Sequence, residues 1–85
     1  MYEIYTANNK TEKLLRHYIK EQQDIASKLQ RLKQSPRTEI GAHPLHGRLE
    51  GKWSCWLGSN TRMIYSIDDS SKRIIVEAVG THKIY

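Results

Sequence analysis

The spacing of apolar positions changes twice along the chain. Tyr2 to Thr6 alternates and is rich in aromatic and β-branched residues, which predicts a short strand. From Lys10 to Gln34 the period lengthens. Leu14, Leu15, Tyr18, Ile19, Ile25, Ala26, Leu29 and Leu32 recur at helical spacings and lay one apolar stripe along a helical surface. Asn8 or Asn9 caps its start, and Glu12 stands where a capping box begun at Asn9 needs its acid. The polar run Lys20 to Asp24 interrupts the stripe. The segment therefore reads as a helical hairpin broken there, with Asp24 as a second cap, or as one long helix. Ser35-Pro36 ends it.

Arg37 to Pro44 is a polar connector containing Gly41, and beyond it the period falls to two. Arg48-Leu49-Glu50 is expected as a short strand, with Gly51-Lys52 as a tight link. Lys52 to Leu57 places Trp53, Cys55 and Leu57 on one face, and Ser54 and Trp56 on the other. Gly58-Ser59-Asn60 reads as a hairpin turn. Thr61 to Ile67 puts Met63, Tyr65 and Ile67 toward a core and Arg62 and Ser66 away from it. If the turn closes with three residues, Trp56 and Arg62 share a face; an even loop turns Trp56 elsewhere. After a turn at Asp68 to Ser71, Arg73 to Val79 is apolar almost throughout, as in a central strand covered on both faces. Gly80 ends it and a short tail follows. The expected architecture is α+β: one or two N-terminal helices on one face of a twisted, mainly antiparallel sheet of about four to five strands, the other face open for function. With 85 residues and no repeats, residues 1–85 are expected to form one domain.

Charge adds more than bulk composition does. Fourteen Lys and Arg against nine Asp and Glu give a formal +5, a surface suited to nucleic acid or to an acidic protein. No apolar run approaches the roughly 18 residues of a membrane span, so no membrane partner is expected. The N-terminus lacks the basic stretch and apolar core of a signal peptide, which makes the cytoplasm the expected location. The single cysteine, Cys55, reads as a small buried hydrophobe and excludes an internal disulfide.

The residues also exclude several chemistries. There is no phosphate-cradling glycine loop and no zinc signature; Pro44 between His43 and His46 argues against a helix that would pair them on a metal. No cofactor is expected. The sheet half instead carries histidines, Arg62 and exposed aromatics. RNA brings its own nucleophile, the 2′-hydroxyl. Cleavage then needs a base, a cation for the crowded phosphorane and an acid for the leaving 5′-oxygen. Histidine as a residue type titrates near neutrality and serves as base or acid. Arginine matches phosphate oxygens in pairs, and aromatic rings stack on unpaired bases. Arg62 has rival carboxylate partners in Asp68, Asp69 and Glu77.

The run His43-Pro44-Leu45-His46-Gly47-Arg48-Leu49-Glu50-Gly51-Lys52-Trp53-Ser54, then Arg62-Met63-Ile64-Tyr65, then Val79-Gly80-Thr81-His82 with a terminal aromatic, resembles the YoeB- and YafQ-like toxins of the RelE branch of the RelE/ParE superfamily. The resemblance covers Ala42 to Tyr85; the N-terminal half matches in layout only. It implies a RelE-like fold and a metal-independent messenger RNA endonuclease acting in the ribosomal decoding site. Such a toxin is held in check by an acidic, partly disordered antitoxin. It further implies His43 as base, Arg62 as phosphate contact, His82 as acid and Tyr85 as support for the substrate base. Arg48, Lys52 and Lys83 are expected phosphate contacts, and Trp56 a stacking surface for RNA. Three departures stand out. Trp56 occupies a position that is Arg or His in those toxins, Asn60 one that is aspartate in the YafQ-like ones, and Lys83 and Ile84 separate His82 from the terminal aromatic. Two alternatives remain: a ParE-like toxin that inhibits DNA gyrase, and a catalytically weakened member that only binds RNA or antitoxin.

Overall fold

The computed structural model describes residues 1–81, so His82, Lys83 and Tyr85 of the expected site lie outside the described residues. The chain runs β1 (Glu3–Thr6), α1 (Asn9–Glu21), α2 (Ile25–Gln34), β2 (His43–Pro44), β3 (Trp53–Trp56), β4 (Arg62–Asp68) and β5 (Arg73–Gly80). The strands form one sheet in the order β1-β5-β4-β3-β2. β1 runs parallel to β5, and every other pairing is antiparallel. The expected α+β architecture is present, with two helices rather than one.

Local chemistry explains the helices. Asn8, not Asn9, is the first cap: its side chain accepts from the Thr11 amide at 2.8 Å. The polar run breaks the helix at Gln22, whose extended backbone ends α1. Gln22 then reaches the β3–β4 turn and donates to the Thr61 hydroxyl at 3.3 Å. Asp24 makes no side-chain cap; its carbonyl takes the Lys28 amide instead. Leu15, Ile25, Leu29 and Leu32 meet Cys55, Leu57, Met63, Tyr65, Ile74, Val76 and Val79 of the sheet in one core. Ile25 and Leu32 are fully buried, and truncating such a side chain to alanine costs about 2–5 kcal/mol.

Other expectations give way. Arg48–Glu50 is not a strand: Gly47–Leu49 forms a 3-10 turn, which the glycines on both sides permit. The connector is not all loop, because His43 and Pro44 pair with Ser54 and Trp53. Trp53 is half-buried at the core margin, with the Arg37 guanidinium 5.7 Å from its ring centre. β5 lies between β1 and β4 with Ile75 half-exposed, so it is not sealed on both faces. A register shift at Ile64/Tyr65 pairs Ile64 with Ala78 but Tyr65 with Val76, leaving Glu77 as the extra residue of a bulge.

Candidate active site

The turn after β3 fixes the geometry. Leu57 donates its amide to the Thr61 carbonyl at 2.8 Å, which closes Gly58, Ser59 and Asn60 as the loop. Trp56 therefore pairs directly with Arg62, and directly opposed residues of neighbouring strands project from the same face. The guanidinium carbon of Arg62 sits 3.8 Å from the Trp56 ring centre, a close cation–π contact. Of the two orientations open to Trp56, the odd loop selects the one facing Arg62. The next pair on this face is Ser54 with Ile64, and His43 meets Ser54 from the outer side. His43, Ser54, Ile64, Trp56 and Arg62 thus share the face opposite the helices. Ser54 and Ile64 are buried, Arg62 is half-buried, and His43 and Trp56 are exposed.

Sequence reasoning missed what orients His43. The 3-10 turn Glu39–Gly41 holds Ile40 at φ 47, ψ 44 and Gly41 at φ 69. A β-branched residue in the left-handed region is rare and costs about 1–2 kcal/mol. Ile40 tolerates it because its side chain packs against the core. The reversal brings the Gly41 carbonyl to the His43 ring, and Nδ1–H donates to it at 3.0 Å. A carbonyl only accepts, so Nδ1 carries a proton, and in the neutral ring it is the only one. That tautomer presents a bare Nε2, the form a general base requires. Gly41 also abuts Trp56: a Cβ built there would lie 2.8 Å from Trp56 Cδ1. The only sequence signal was a glycine in a polar connector.

That connector is tied down along its length. Tyr65, buried on the core face of β4, donates its hydroxyl to the Pro36 carbonyl at 2.7 Å. Arg31 of α2 pairs with Glu39 at 2.7 Å. Arg37 grips Asp69 through both guanidinium nitrogens, at 3.2 and 2.8 Å, and Tyr2 donates to the same carboxylate at 2.5 Å. The hydrogen bonds from Arg37 and then Tyr2 hold the Asp69 carboxyl down at about 2. Asp68 accepts from Ser70 and Ser71 in its own turn, and Glu77 pairs with Lys52 at 2.5 Å. Asp68, Asp69 and Glu77, the expected rival partners of Arg62, thus each have other partners of their own.

The remaining expected residues scatter more widely. Lys52 and Glu77 are each about one-third exposed. Arg48 is exposed on the 3-10 turn after His46, away from the paired strands. His17 lies on α1, edge-on to Tyr18 with ring centres 5.6 Å apart. Cys55 is fully buried, and burial pushes its thiol up to about 12, so it is no nucleophile at neutral pH. Burial likewise drives the Tyr65 phenol far above the tyrosine range. Among the described residues no group of three or more His, Cys, Asp or Glu side chains could hold a metal ion, and no helix is long and apolar enough to cross a membrane.

No protein-family model matches the chain, and no curated protein matches it by sequence. Solved structures do match. A YoeB/ParE toxin from Agrobacterium tumefaciens is 21% identical at a TM-score of 0.73, over 96% of this chain and 99% of that one. The toxin–antitoxin heterotetramer of YoeB and YefM from Staphylococcus aureus contains a chain 18% identical at a TM-score of 0.74, over 96% and 98%. A metal-bound toxin from Helicobacter pylori is 22% identical at a TM-score of 0.74, over the whole of both chains. The helical hairpin laid on a five-stranded, mostly antiparallel sheet is thus the fold that this chain shares with the YoeB-like toxins of the RelE/ParE superfamily.

Proposed function

We propose that this protein is the toxin of a type II toxin–antitoxin pair and cleaves messenger RNA on the ribosome without a metal. The observation that carries the reading is the Nδ1–H bond of His43 to the Gly41 carbonyl, which in the neutral ring leaves Nε2 as a proton acceptor on the same face of the sheet as Arg62. In this mechanism Nε2 of His43 takes the proton of the 2′-hydroxyl. The oxygen attacks the adjacent phosphorus, and Arg62 neutralises the charge gathering on the non-bridging oxygens. The bond to the 5′-oxygen breaks, and His82 supplies the proton that this oxygen needs. The products are a 2′,3′-cyclic phosphate and a 5′-hydroxyl. Three ionisable groups and a few aromatics make a sparse active site. A ribosome that presents the message in a fixed geometry supplies the missing orientation, which is worth orders of magnitude in rate.

The excess of five positive charges suits both partners in this scheme, RNA and an acidic antitoxin. The neighbour solved as a YoeB–YefM complex supports the second. The test is purified protein added to translating ribosomes, with 5′-end mapping of the message. New 5′-hydroxyl ends are expected with the wild type. Removing one general base or one phosphate donor typically costs a hundredfold or more, so His43→Ala and Arg62→Ala should each fall by about 10²-fold. Toxicity that survives the combined loss of His43, Arg62 and His82, with no new ends, refutes the reading. Growth arrest with intact messages and lost supercoiling makes gyrase the target instead.

A further inference from the structure

We infer that Trp56 is a positioning residue for Arg62, and that Gly41 is the socket that seats the indole. The inference rests on the proposed cleavage reaction and adds to it a role that neither residue type suggests alone. An arginine side chain has several rotatable bonds, and a cation that must meet a crowded phosphorane gains little if it wanders. Here the guanidinium lies 3.8 Å over the Trp56 ring, and the paired register of the two strands places one above the other. A cation held over a ring face keeps its full positive charge for a phosphate. The indole also shields one side of the cation from water, which strengthens its interaction with a phosphate.

The ring is itself fixed from the other direction. A Cβ at Gly41 would come within 2.8 Å of Trp56 Cδ1, so the glycine backbone lies flush against the indole edge. The same Gly41 carbonyl takes the His43 Nδ1 proton. One backbone residue therefore sets both the proposed base, directly, and the proposed phosphate cation, through Trp56. While the stack persists, the ring face under Arg62 is closed to a nucleobase.

The test is a double-mutant cycle in single-turnover cleavage of ribosome-bound message, using the full chain. A close cation–π contact is worth about a tenfold change in rate. Trp56→Leu should therefore slow cleavage at saturating ribosomes about tenfold, while the half-saturating concentration moves less than about threefold. Trp56→Phe, which keeps a ring face, should retain activity to within about threefold. In an Arg62→Ala background, Trp56→Leu should cost nothing further, because its effect passes through the guanidinium. An equal loss in both backgrounds overturns the inference, as does a raised half-saturation at unchanged rate, which would mark a base platform. A second readout needs no catalysis. Arg62 side-chain resonances should show an upfield ring-current shift in the wild type and Trp56→Phe, and lose it in Trp56→Leu. A wild type that cleaves nothing but shows the shift sinks the proposed reaction and leaves the placement intact. Absence of the shift in a folded wild type sinks the placement itself.

Discussion

Tyr65→Phe is the sharpest probe of how the core holds the site. The Tyr65 ring is fully buried, and its hydroxyl donates at 2.7 Å to Pro36, where the chain leaves α2 for the His43 connector. Phenylalanine keeps the ring and nearly the volume, so packing changes little. What is lost is one hydrogen bond, and what remains is a buried carbonyl without its donor. The bond is worth about 1 kcal/mol net, and an unpaired buried acceptor costs about 1–3 kcal/mol, so a loss of ~2 kcal/mol is expected. For a domain of this size each kcal/mol shifts the melting temperature by about 4–8 °C, which puts Tyr65→Phe roughly 10 °C below the wild type. Urea unfolding followed by tryptophan fluorescence measures the same quantity as a lower midpoint at unchanged slope. A midpoint shift equivalent to under about 0.5 kcal/mol would mean that water takes the donor's place. The claim that this bond anchors the connector would then fail.

Two further outcomes follow from the electrostatics. The Asp69 carboxyl sits at about 2 in the fold against 3.8 for the free side chain, so the ionised form is the one that the fold favours. Its stabilising effect should be complete above roughly pH 4 and vanish as the pH falls toward 2. Asp69→Asn should accordingly melt below the wild type at pH 6, and the two curves should converge near pH 2; a constant gap at both pH values counts against the Arg37–Asp69 clamp. Cys55, fully buried with its thiol near 12, should resist a thiol-specific disulfide reagent at pH 7.5 in the native protein and react within minutes once urea is added. Prompt native-state labelling would show that β3 opens far more readily than its packing implies.

Much of this was legible in the chain because period reports faces. Alternation from Trp53 to Leu57 and from Met63 to Ile67 placed Cys55, Leu57, Met63 and Tyr65 inside and Arg62 outside, as found. The polar interruption before Ile25 marked a real helix break. What periodicity cannot carry is the identity of a partner. The parallel docking of β1 on β5 joins segments far apart in the chain, and nothing in Tyr2 to Thr6 names its neighbour. A two-residue strand such as β2 is too short to have a period. The left-handed Ile40 contradicts its own residue type, so only tertiary packing reveals it. Arg62 and His43 could be proposed as site residues from their chemistry, whereas Gly41, whose carbonyl meets the His43 ring and whose missing side chain makes room for Trp56, could not.

The edge of the sheet beside the site has one more property. Leu45 turns its amide inward to Lys52 at 2.9 Å, so the two-residue repeat of an extended chain points the nitrogen of Pro44 outward. That nitrogen carries no hydrogen. A foreign strand approaching β2 finds no donor at Pro44, so strand addition there is disfavoured. That edge is thereby a poor template for pairing with a second copy of the chain. The other edge strand, β1, lies across the whole width of the sheet from His43.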